Sequence, residues 1–434
     1  MISDTAASLW ASTTRERVVA PSISRDQKVD LVVIGGGFTG CAAALEAAKS
    51  GASVCLLEAR TIGHGGSGRN VGLVNAGLWL PPDEIVEILG ETRGRRLMDV
   101  LGKAPQQVFD LIGAHRIECE PIQAGTLHLA HAEKGLDDLA ARHAQGNRIG
   151  APIRLLSREE TIARTGSEAF CGALFDPRAG TIQPLAYCAG LARAARQSGA
   201  LVFEHSAVQT VEFRSGRWVV DAAGHSIEAG ALLIATNAYH RPISGAPAPA
   251  YIPVHYCQFA TAPIPEDLRA SLLPGGEGCW DTALVMSSFR FDRAGRMIVG
   301  GIGNVDGRGA TIHSDWARRK LRAVFPQIRD LRFEHVWTGR IAMTSDHVPH
   351  IVAPGPNAYE VFGYSGRGIG PGTVFGTAAA QALLTGAEDA LPLPPQPSHQ
   401  EAFTGLRGTY YEFGAAAMHL IAHRMPEKRN PTSR

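Results

Sequence analysis

Blocks of apolar and polar positions near the start of the chain predict a βαβ unit. Residues 31–34 are four consecutive apolar residues, three of them β-branched, and 53–57 form a second, mostly apolar run. Runs of this kind suit strands that are covered on both faces, as in a parallel sheet. The stretch between them, 38–50, is rich in alanine and is followed by Gly51, which predicts a helix and its end.

Further along the chain, the pattern predicts a large antiparallel part. Alternating polar and apolar residues at 207–213, followed by short runs at 218–220 and 226–228, predict a small antiparallel meander that closes at a buried strand, 231–234. Other strands are predicted at 124–131, 251–261, 284–292, 296–303 and 337–343, and helices at 83–116, 133–149, 185–198, 314–325, 373–384 and 408–423. The helix at 314–325 has a basic face, which we expect to be solvated. Six prolines between 242 and 265 mark a crossing between domains.

Composition narrows the class of protein. A chain of 434 residues is expected to form two or three domains, and a net charge of +1 gives no global field that would attract nucleic acid or an anionic membrane. No 18-residue apolar run predicts a membrane span, and 1–28 lack the apolar core of a secretory signal. The seven cysteines form no C-x-x-C pair, so we expect free thiols, no metal site and a cytoplasmic location.

A glycine turn follows the first predicted strand. Gly35, Gly37 and Gly40 have the G-x-G-x-x-G spacing, which allows a tight turn, close approach of a pyrophosphate and close packing of helix on strand. Glu58 ends the second strand, near the spacing at which a carboxylate binds ribose hydroxyls. An incidental turn with an exposed glutamate is the alternative. Strand, glycines, helix and acid agree, which favours a dinucleotide site.

Two more glycine-rich stretches add to this site. Six glycines fall within 63–77, interleaved with Val71, Leu73 and Val74, which a flexible solvated loop rarely carries. We therefore expect the backbone of this loop to approach a flat or anionic group. Residues 359–384 predict another strand, glycine turn and helix, whose N-terminus is free to face a polar group.

These motifs, together with Ala235-Thr236-Asn237-Ala238-Tyr239, resemble those of the D-amino-acid oxidase/glycine oxidase/sarcosine oxidase superfamily, and most closely its γ-glutamylputrescine oxidase-like branch. The resemblance spans about residues 7–425. It implies a Rossmann-like FAD-binding domain of the glutathione-reductase type and an antiparallel-sheet substrate domain. The domains expected are an N-terminal arm (1–28), an FAD domain (29–100, 166–250 and 346–390), a substrate domain (101–165 and 251–345), and a C-terminal tether and helix (391–434).

The resemblance also implies the cofactor and its contacts. FAD is expected to bind noncovalently, because the cysteine that carries covalent flavin in the sarcosine oxidase branch has no counterpart near Arg340. Arg69 is expected either to pair with the flavin region or to brace its loop. The residues expected at the cofactor are Gly35, Gly37, Phe38, Thr39, Gly40, Glu58, Ala59, Arg60, Gly66, Ser67, Arg69, Asn70, Gly72, Leu73, Val208, Thr236, Asn237, Gly366, Arg367, Gly368 and Ile369.

The chemistry that the resemblance implies is oxidation of a C–N bond by hydride transfer to flavin N5, giving an imine that hydrolyses. Arg340 is one candidate for a substrate carboxylate, although the family arginine aligns with Ile341 and the alternative is a structural ion pair. His255 and Tyr256 are candidates for the pocket wall, against the alternative of ordinary strand packing. The family lysine falls at Gly370 and is absent. These departures favour an amine or an N-substituted amino acid as substrate.

Other functions stay open on the sequence alone. A flavin-dependent dehydrogenase would pass electrons to a quinone or a carrier protein instead of O2. A protein of a different class would bind the dinucleotide without turnover. The partners expected are a small amine or amino-acid-like substrate and O2 or an electron carrier, with no nucleic acid and no integral membrane segment.

Overall fold

The strands form two large sheets and a two-stranded ribbon in the computed structural model, which describes residues 8–307, 309–328 and 332–422. In chain order the strands are Gln27–Ile34 (β1), Val54–Leu57 (β2), Leu73–Val74 (β3), Thr126–Ala130 (β4), Arg154–Leu156 (β5), Gly172–Asp176 (β6), Gly180–Thr181 (β7), Leu201–Phe203 (β8), Val208–Arg214 (β9), Arg217–Ala222 (β10), His225–Ile234 (β11), Ile252–Pro263 (β12), Gly278–Asp281 (β13), Ser287–Phe291 (β14), Arg296–Ile302 (β15), Phe333–Met343 (β16), His350–Val352 (β17) and Ala358–Phe362 (β18).

The helices lie mainly around the first sheet and on the outside of the second. They are Leu9–Thr13 (α1), Phe38–Lys49 (α2), Pro82–Leu89 (α3), Glu91–Gly102 (α4), Ala104–His115 (α5), Glu133–Arg148 (α6), Arg158–Thr165 (α7), Pro184–Gln197 (α8), Glu266–Arg269 (α9), Ala310–Val324 (α10), Ile369–Thr385 (α11) and Thr404–Ile421 (α12). The single predicted helical stretch at 83–116 is three helices. Gly90, with φ 76°, separates α3 from α4, and Lys103 separates α4 from α5.

The first sheet has the strand order β17-β18-β11-β1-β2-β8, and β9 and β10 extend β11 as an antiparallel meander. Strands β1, β2, β8, β11 and β18 pair in parallel. Leu31, Val32 and Val33 are fully buried at its centre, since helices cover one face and the meander the other. The prediction of a doubly covered strand is confirmed.

The second sheet has the order β16-β12-β15-β14-β13-β4-β6-β5 and is antiparallel except where β13 meets β4. Its longest pairing joins β12 to β16 and sets His255 opposite Arg340 and Tyr256 opposite Gly339. Helix α10 packs on the outside of this sheet through Trp316 and its neighbours. The predicted combination of α/β and α+β organisation is confirmed.

Several boundaries differ from those expected. Strand β1 begins at Gln27, inside the predicted arm, and α5 packs in the apolar core of the first sheet, although 101–165 were assigned to the substrate domain. Strand β6 belongs to the second sheet, because it pairs with β4. Leu9 and Trp10, within the predicted N-terminal arm, are completely buried. These contacts depend on tertiary packing, which periodicity does not encode.

The cysteines are free thiols, as expected, and all but Cys171 are buried. Within the described residues, no helix combines the length and the apolar composition needed to cross a bilayer. The described part of the chain also lacks any group of three His, Cys, Asp or Glu side chains arranged to hold a metal ion.

The basic face of α10 is only partly solvated. Lys320 is 4% exposed, and its Nζ lies 2.6 Å from Asp281 Oδ2 on β13. The Ser287 hydroxyl donates to the same carboxylate over 2.5 Å. Burial raises the pKa of Asp281, but Lys320 and Ser287 outweigh it and hold that pKa below its usual range. The expectation of a solvated face is therefore wrong at Lys320.

We predict that Lys320→Met lowers the free energy of unfolding by about 3–5 kcal/mol, because it leaves the Asp281 carboxylate buried without its cation. Arg318→Met on the same helix is the matched control. The Arg318–Asp315 pair is about half exposed, so its loss should cost about 0–1 kcal/mol. Urea denaturation at neutral pH measures both. Equal small losses would contradict the prediction.

Candidate cofactor and active site

The turn between β1 and α2 requires its glycines. Gly35 has φ +110°, and a Cβ there would lie 2.7 Å from the carbonyl oxygen of Ala235. A Cβ on Gly40 would lie 1.9 Å from the Gly35 carbonyl oxygen, so only glycine allows this approach of helix to strand. Helix α2 begins at Phe38, and the first N–H groups of a helix have no intrahelical partner. This end of α2 is therefore suited to an anionic group.

Glu58 is held beside the same turn. Its carboxylate accepts hydrogen bonds from the backbone N–H of Gly36 at 2.7 Å and of Arg60 at 2.8 Å. Burial raises the pKa of Glu58, and the two hydrogen bonds partly offset that rise. Ala59, between Glu58 and Arg60 in the chain, is half-buried. The carboxylate is thus fixed at the carboxyl end of β2, where a ribose is expected.

Four consecutive carbonyl groups of the second glycine loop are each held by a side chain from a distant segment. Ser8 Oγ donates to Gly68 O over 3.0 Å, and Trp337 Nε1 donates to Arg69 O over 2.8 Å. Trp10 Nε1 donates to Asn70 O and Arg290 Nε to Val71 O, both over 2.7 Å. We call this set of four donors the carbonyl clamp. It joins α1, β14 and β16 to the loop.

The same loop is braced from within and tied to α2. The Asn70 amide donates to Gly66 O over 2.9 Å, and its oxygen accepts from the Gly72 N–H over 2.8 Å. Ser67 Oγ accepts from the Phe38 N–H over 3.0 Å. Leu73 follows in the β3–β7 ribbon. The two glycine segments are therefore one connected structure.

The third glycine turn meets the first at the start of α2. Thr39 Oγ1 lies 2.7 Å from Tyr364 Oη, and both groups are buried. Gly366 has φ +95°, and a Cβ there would meet only Ile341 Cδ1, at 3.6 Å. Helix α11 begins at Ile369 after Gly368 and directs its free N–H groups to this region.

The remaining predicted cofactor residues lie around this framework. Arg69 donates to the carbonyls of His64 and Thr338, so the structure shows it bracing the loop. Asn237, with φ +43°, accepts from the Gly363 N–H over 3.1 Å, and Thr236 Oγ1 lies 2.9 Å from His240 Nδ1. Val208 is the half-buried first residue of β9. Their contacts with a cofactor stay predictions.

Two candidate substrate residues have buried polar atoms without a partner. Tyr256 Oη and Arg340 Nε make no hydrogen bond among the described residues. The Arg340 guanidinium lies over the Tyr239 ring at 5.2 Å, and the Tyr239 hydroxyl accepts from the Arg340 N–H over 3.0 Å. Strand β16, which carries Arg340, faces the 65–69 loop, since a Cβ on Gly66 would lie 3.6 Å from the Arg340 carbonyl oxygen. A polar ligand would satisfy such orphaned atoms.

Arg340 and His255 do not behave as the sequence suggested. Arg340 forms no ion pair within the described part of the chain, so the structural ion pair favoured for it is absent there. His255 Nδ1 lies 3.7 Å from Glu412 Oε2 on α12, on the outer side of the sheet. Burial lowers the pKa of His255. Its assignment to the pocket wall is therefore not supported by its contacts.

A cavity of about 140 Å³ opens beside the 366–369 turn. Arg367 lines it, and its Nη1 donates to the carbonyls of Ala76 at 3.0 Å and Leu78 at 2.9 Å. The described residues provide no ion pair for Arg367, whereas Arg142 and Arg178, which also line the cavity, are each paired with an aspartate. Burial, together with Arg142, lowers the pKa of Arg367 to about 9.

Aromatic and apolar side chains form the rest of the cavity wall. The His128 ring stacks on Trp280 with centroids 3.4 Å apart, and the Arg367 guanidinium lies 4.8 Å from the Trp280 ring. Burial lowers the pKa of His128 far below its usual value, so this ring is neutral at pH 7. Leu78, Met98 and Leu101 supply apolar surface. The cavity therefore carries a single uncompensated charge, that of Arg367.

The glycine turn, the carboxylate of Glu58 and the clamped loop are typical of a dinucleotide-binding protein. A family model described as FAD dependent oxidoreductase matches residues 30–382, and the chain belongs to this family. The prediction of FAD as cofactor is confirmed, and the residues above fit it, with glycines where a pyrophosphate is expected to approach and Glu58 where a ribose is expected. The protein is an FAD-dependent oxidoreductase.

Individual relatives agree with this assignment. The chain is 31% identical over 365 residues to a probable oxidoreductase OrdL of Rhizobium meliloti, covering 83% of this chain and 84% of the relative. It is 29% identical over 417 residues to gamma-glutamylputrescine oxidoreductase of Escherichia coli, covering 93% and 97%. The crystal structure of glycine oxidase from Geobacillus kaustophilus has the same fold, with a TM-score of 0.70, 21% identity and coverage of 86% and 100%.

We predict that Trp10→Phe raises the dissociation constant of FAD by roughly tenfold, because it leaves the Asn70 carbonyl without its donor and frees the loop. Trp218→Phe is the matched control. Trp218 Nε1 donates over 2.8 Å to Pro356 O, near the opposite end of β1, so this change should lower stability and leave FAD affinity intact. Titration of apoprotein with FAD, followed by flavin fluorescence, measures both. Equal affinities in the two variants would refute a role for the clamp.

Proposed function

We propose that this enzyme oxidises the C–N bond of an amine or an N-substituted amino acid, giving an imine that hydrolyses. The observation that carries the proposal is the cavity with one uncompensated cation, Arg367, beside the turn at the start of α11. A cation in an apolar cavity favours a ligand that carries an anion. We therefore infer that the substrate bears a carboxylate as well as its amine.

Relatives support this class of substrate. Gamma-glutamylputrescine oxidoreductase is named for a γ-glutamyl amine, and glycine oxidase of Geobacillus kaustophilus, 26% identical over 339 residues, for an amino acid. Both names describe amines attached to a carboxylate-bearing group. The sequence departures at Ile341 and Gly370 favour the larger of these substrates, because the family's positively charged contacts for a short α-amino acid are missing at both positions.

The chain's own residues bind and orient the substrate. FAD, when bound, supplies a hydride acceptor at N5. Arg367 would hold the substrate carboxylate, and Leu78, Met98 and Leu101 exclude water around the amine. Neutral His128 adds no further positive charge to the cavity wall. The N-terminus of α11 places partial positive charge at the 366–369 turn, where it would stabilise negative charge on a reduced cofactor.

An anaerobic screen tests the reaction directly. The holoenzyme is mixed without oxygen with amines, N-methyl amino acids, D-amino acids and γ-glutamyl amines, and the flavin absorbance is followed. We expect bleaching by amines that carry a carboxylate. If none of these compounds bleaches the flavin while dithionite does, the proposed reaction is wrong.

Reoxidation then identifies the electron acceptor. Formation of peroxide on admission of air would make the enzyme an oxidase. Reoxidation by a quinone analogue, with slow reaction in air, would make it the dehydrogenase that the sequence left open.

We predict that Arg367→Leu raises KM for carboxylate-bearing amines by roughly tenfold or more, with a much smaller change for amines that lack a carboxylate, because only the former lose a charge-assisted contact. Arg340→Leu is the matched control, since Arg340 does not line the cavity. Steady-state kinetics on both types of amine measures the effect. A selective rise with Arg340→Leu and none with Arg367→Leu would reverse the assignment.

A further inference from the structure

Helix α12 is held against the rest of the protein by few of its own side chains. All 18 of its residues are described by the structure, and two of them, Ala415 and His419, are buried. The helix also contains three glycines, at 405, 408 and 414, each of which is less favourable in a helix than alanine by about 1 kcal/mol. Isolated helices of this length are marginal in water even with better compositions. The helical state of α12 therefore depends on its docking.

The C-terminal end of α12 is docked through a pair of histidines. His313 on α10 and His419 on α12 are 1% and 0% exposed, and their Nδ1 atoms lie 2.7 Å apart. The His419 ring stacks on Trp316 of α10, with centroids 3.8 Å apart and an interplanar angle of 6°. Arg319 of α10 donates to the carbonyls of His419 and Ala422. We call His313 and His419 the histidine pair.

The contact between the two rings limits their protonation. One Nδ1 must donate its hydrogen and the other must accept it, so protons on both Nδ1 atoms would remove the bond. His419 Nε2 is buried and has no hydrogen-bond partner among the described residues. An additional proton on His419 would therefore either break the contact or leave a charged ring buried without an acceptor, which is unfavourable.

Neighbouring charges do not compensate a proton on the histidine pair. Burial, together with His313 and Arg319, lowers the pKa of His419 to about 3. Glu412 on α12 raises the pKa of His313, but burial outweighs it, and the pKa lies below its usual value. Both rings are therefore neutral at pH 7 while α12 is docked.

The other titratable groups at this contact lie on β12 and in the segment after β15. His255 Nδ1 on β12 lies 3.7 Å from Glu412 Oε2. Burial lowers the pKa of His255, as does Arg340, and these effects outweigh the opposite influence of Glu412 and Asp306. The contact between His255 and Glu412 is therefore not an ion pair at pH 7.

We propose that the histidine pair makes the docking of α12 sensitive to acid, so that the helix is held while both rings are neutral and is released when the pair takes up protons. In the released helix both rings meet water, where a histidine has a pKa of about 6.5. The released state binds more protons, so docking is strongest above this pH. Below it, docking weakens by up to roughly tenfold per pH unit for each histidine, until the lowered pKa of the docked ring is reached.

Release of α12 would uncover apolar surface close to the third glycine turn. Tyr411 of α12 and Ile341 of β16 pack against the same small apolar cluster at the ends of β12 and β16. Ile341 Cδ1 would also lie 3.6 Å from a Cβ on Gly366. The docked helix therefore supports a strand that contacts the 366–369 turn. The proposal does not depend on which substrate the enzyme oxidises.

Hydrogen–deuterium exchange of the full-length holoenzyme at pH 7.5 and pH 5.5 tests the proposal. Protection factors are compared, because they remove the intrinsic pH dependence of exchange. We expect the protection factor of peptides from 404–422 to fall by roughly tenfold or more at pH 5.5, while peptides from β1 and α2 keep theirs. Equal protection of 404–422 at both pH values would overturn the proposal. So would an equal loss in all peptides, because acid would then unfold the whole protein.

A double variant, His313→Asn with His419→Asn, removes the titrating groups. An asparagine amide reaches the position of Nδ1 and can donate or accept a hydrogen bond, so the contact can persist without a pKa near neutrality. We expect its protection of 404–422 to be the same at both pH values. The flavin spectrum establishes that each variant is folded, and the comparison on the unchanged protein needs no variant.

His205→Asn is the matched control, because His205 is exposed and follows β8 in the first sheet. Its peptides from 404–422 should lose protection at pH 5.5 as those of the unchanged protein do. A double variant that loses protection to the same extent as this control would overturn the assignment of the effect to the histidine pair.

Discussion

Four carbonyl oxygens in a row, those of residues 68–71, depend on donors that the local sequence does not contain. Ser8 and Trp10 come from the N-terminal helix, and Arg290 and Trp337 come from the second sheet. A buried carbonyl without a donor costs about 1–3 kcal/mol, so the loop adopts this conformation only when all these segments are in place. The conformation of the second glycine loop therefore depends on contacts with the N-terminal helix and with the second sheet.

This constraint links parts of the chain that would otherwise be independent. Arg290 is almost fully buried, and burial lowers its pKa to about 10 while it donates to Val71 O and Ile182 O. Trp10 and Trp337 pack edge to face at 6.0 Å between the two sheets. The N-terminal arm therefore packs between the two sheets and supports the second glycine loop. The first and second sheets are positioned relative to each other through this loop.

The sequence predicted the local elements of this arrangement well. Gly35, Gly37 and Gly40 are recognisable because a tight turn and a close helix approach each demand a residue without Cβ. The apolar run at 31–34 is recognisable because both faces of its strand are covered. The glycine loop at 63–77 and the turn at 363–372 favoured FAD over NAD, and the family match agrees.

The sequence did not predict what the tertiary contacts decide. Residues 1–28 were predicted as an N-terminal arm, but nothing local indicates that the Trp10 indole reaches Asn70. Arg340 was chosen for its position on a strand, whereas Arg367 lines the cavity because the turn at the start of α11 faces 76–78. Lys320 was assigned to solvent because Asp281 is 39 residues away in the chain. In each case the partner is distant in sequence, which periodicity cannot detect.

Hydrogen–deuterium exchange of the apoprotein and the FAD-loaded protein tests the central claim most directly, which is that the clamp forms the cofactor loop before the cofactor binds. The account predicts that peptides covering 66–72 exchange slowly in the apoprotein, because the backbone N–H groups of Gly68, Asn70 and Gly72 already have acceptors within the loop. FAD should then add protection mainly at the start of α2 and at the 366–369 turn. Exchange of 66–72 at unprotected rates in the apoprotein, with protection only after FAD is added, would contradict it.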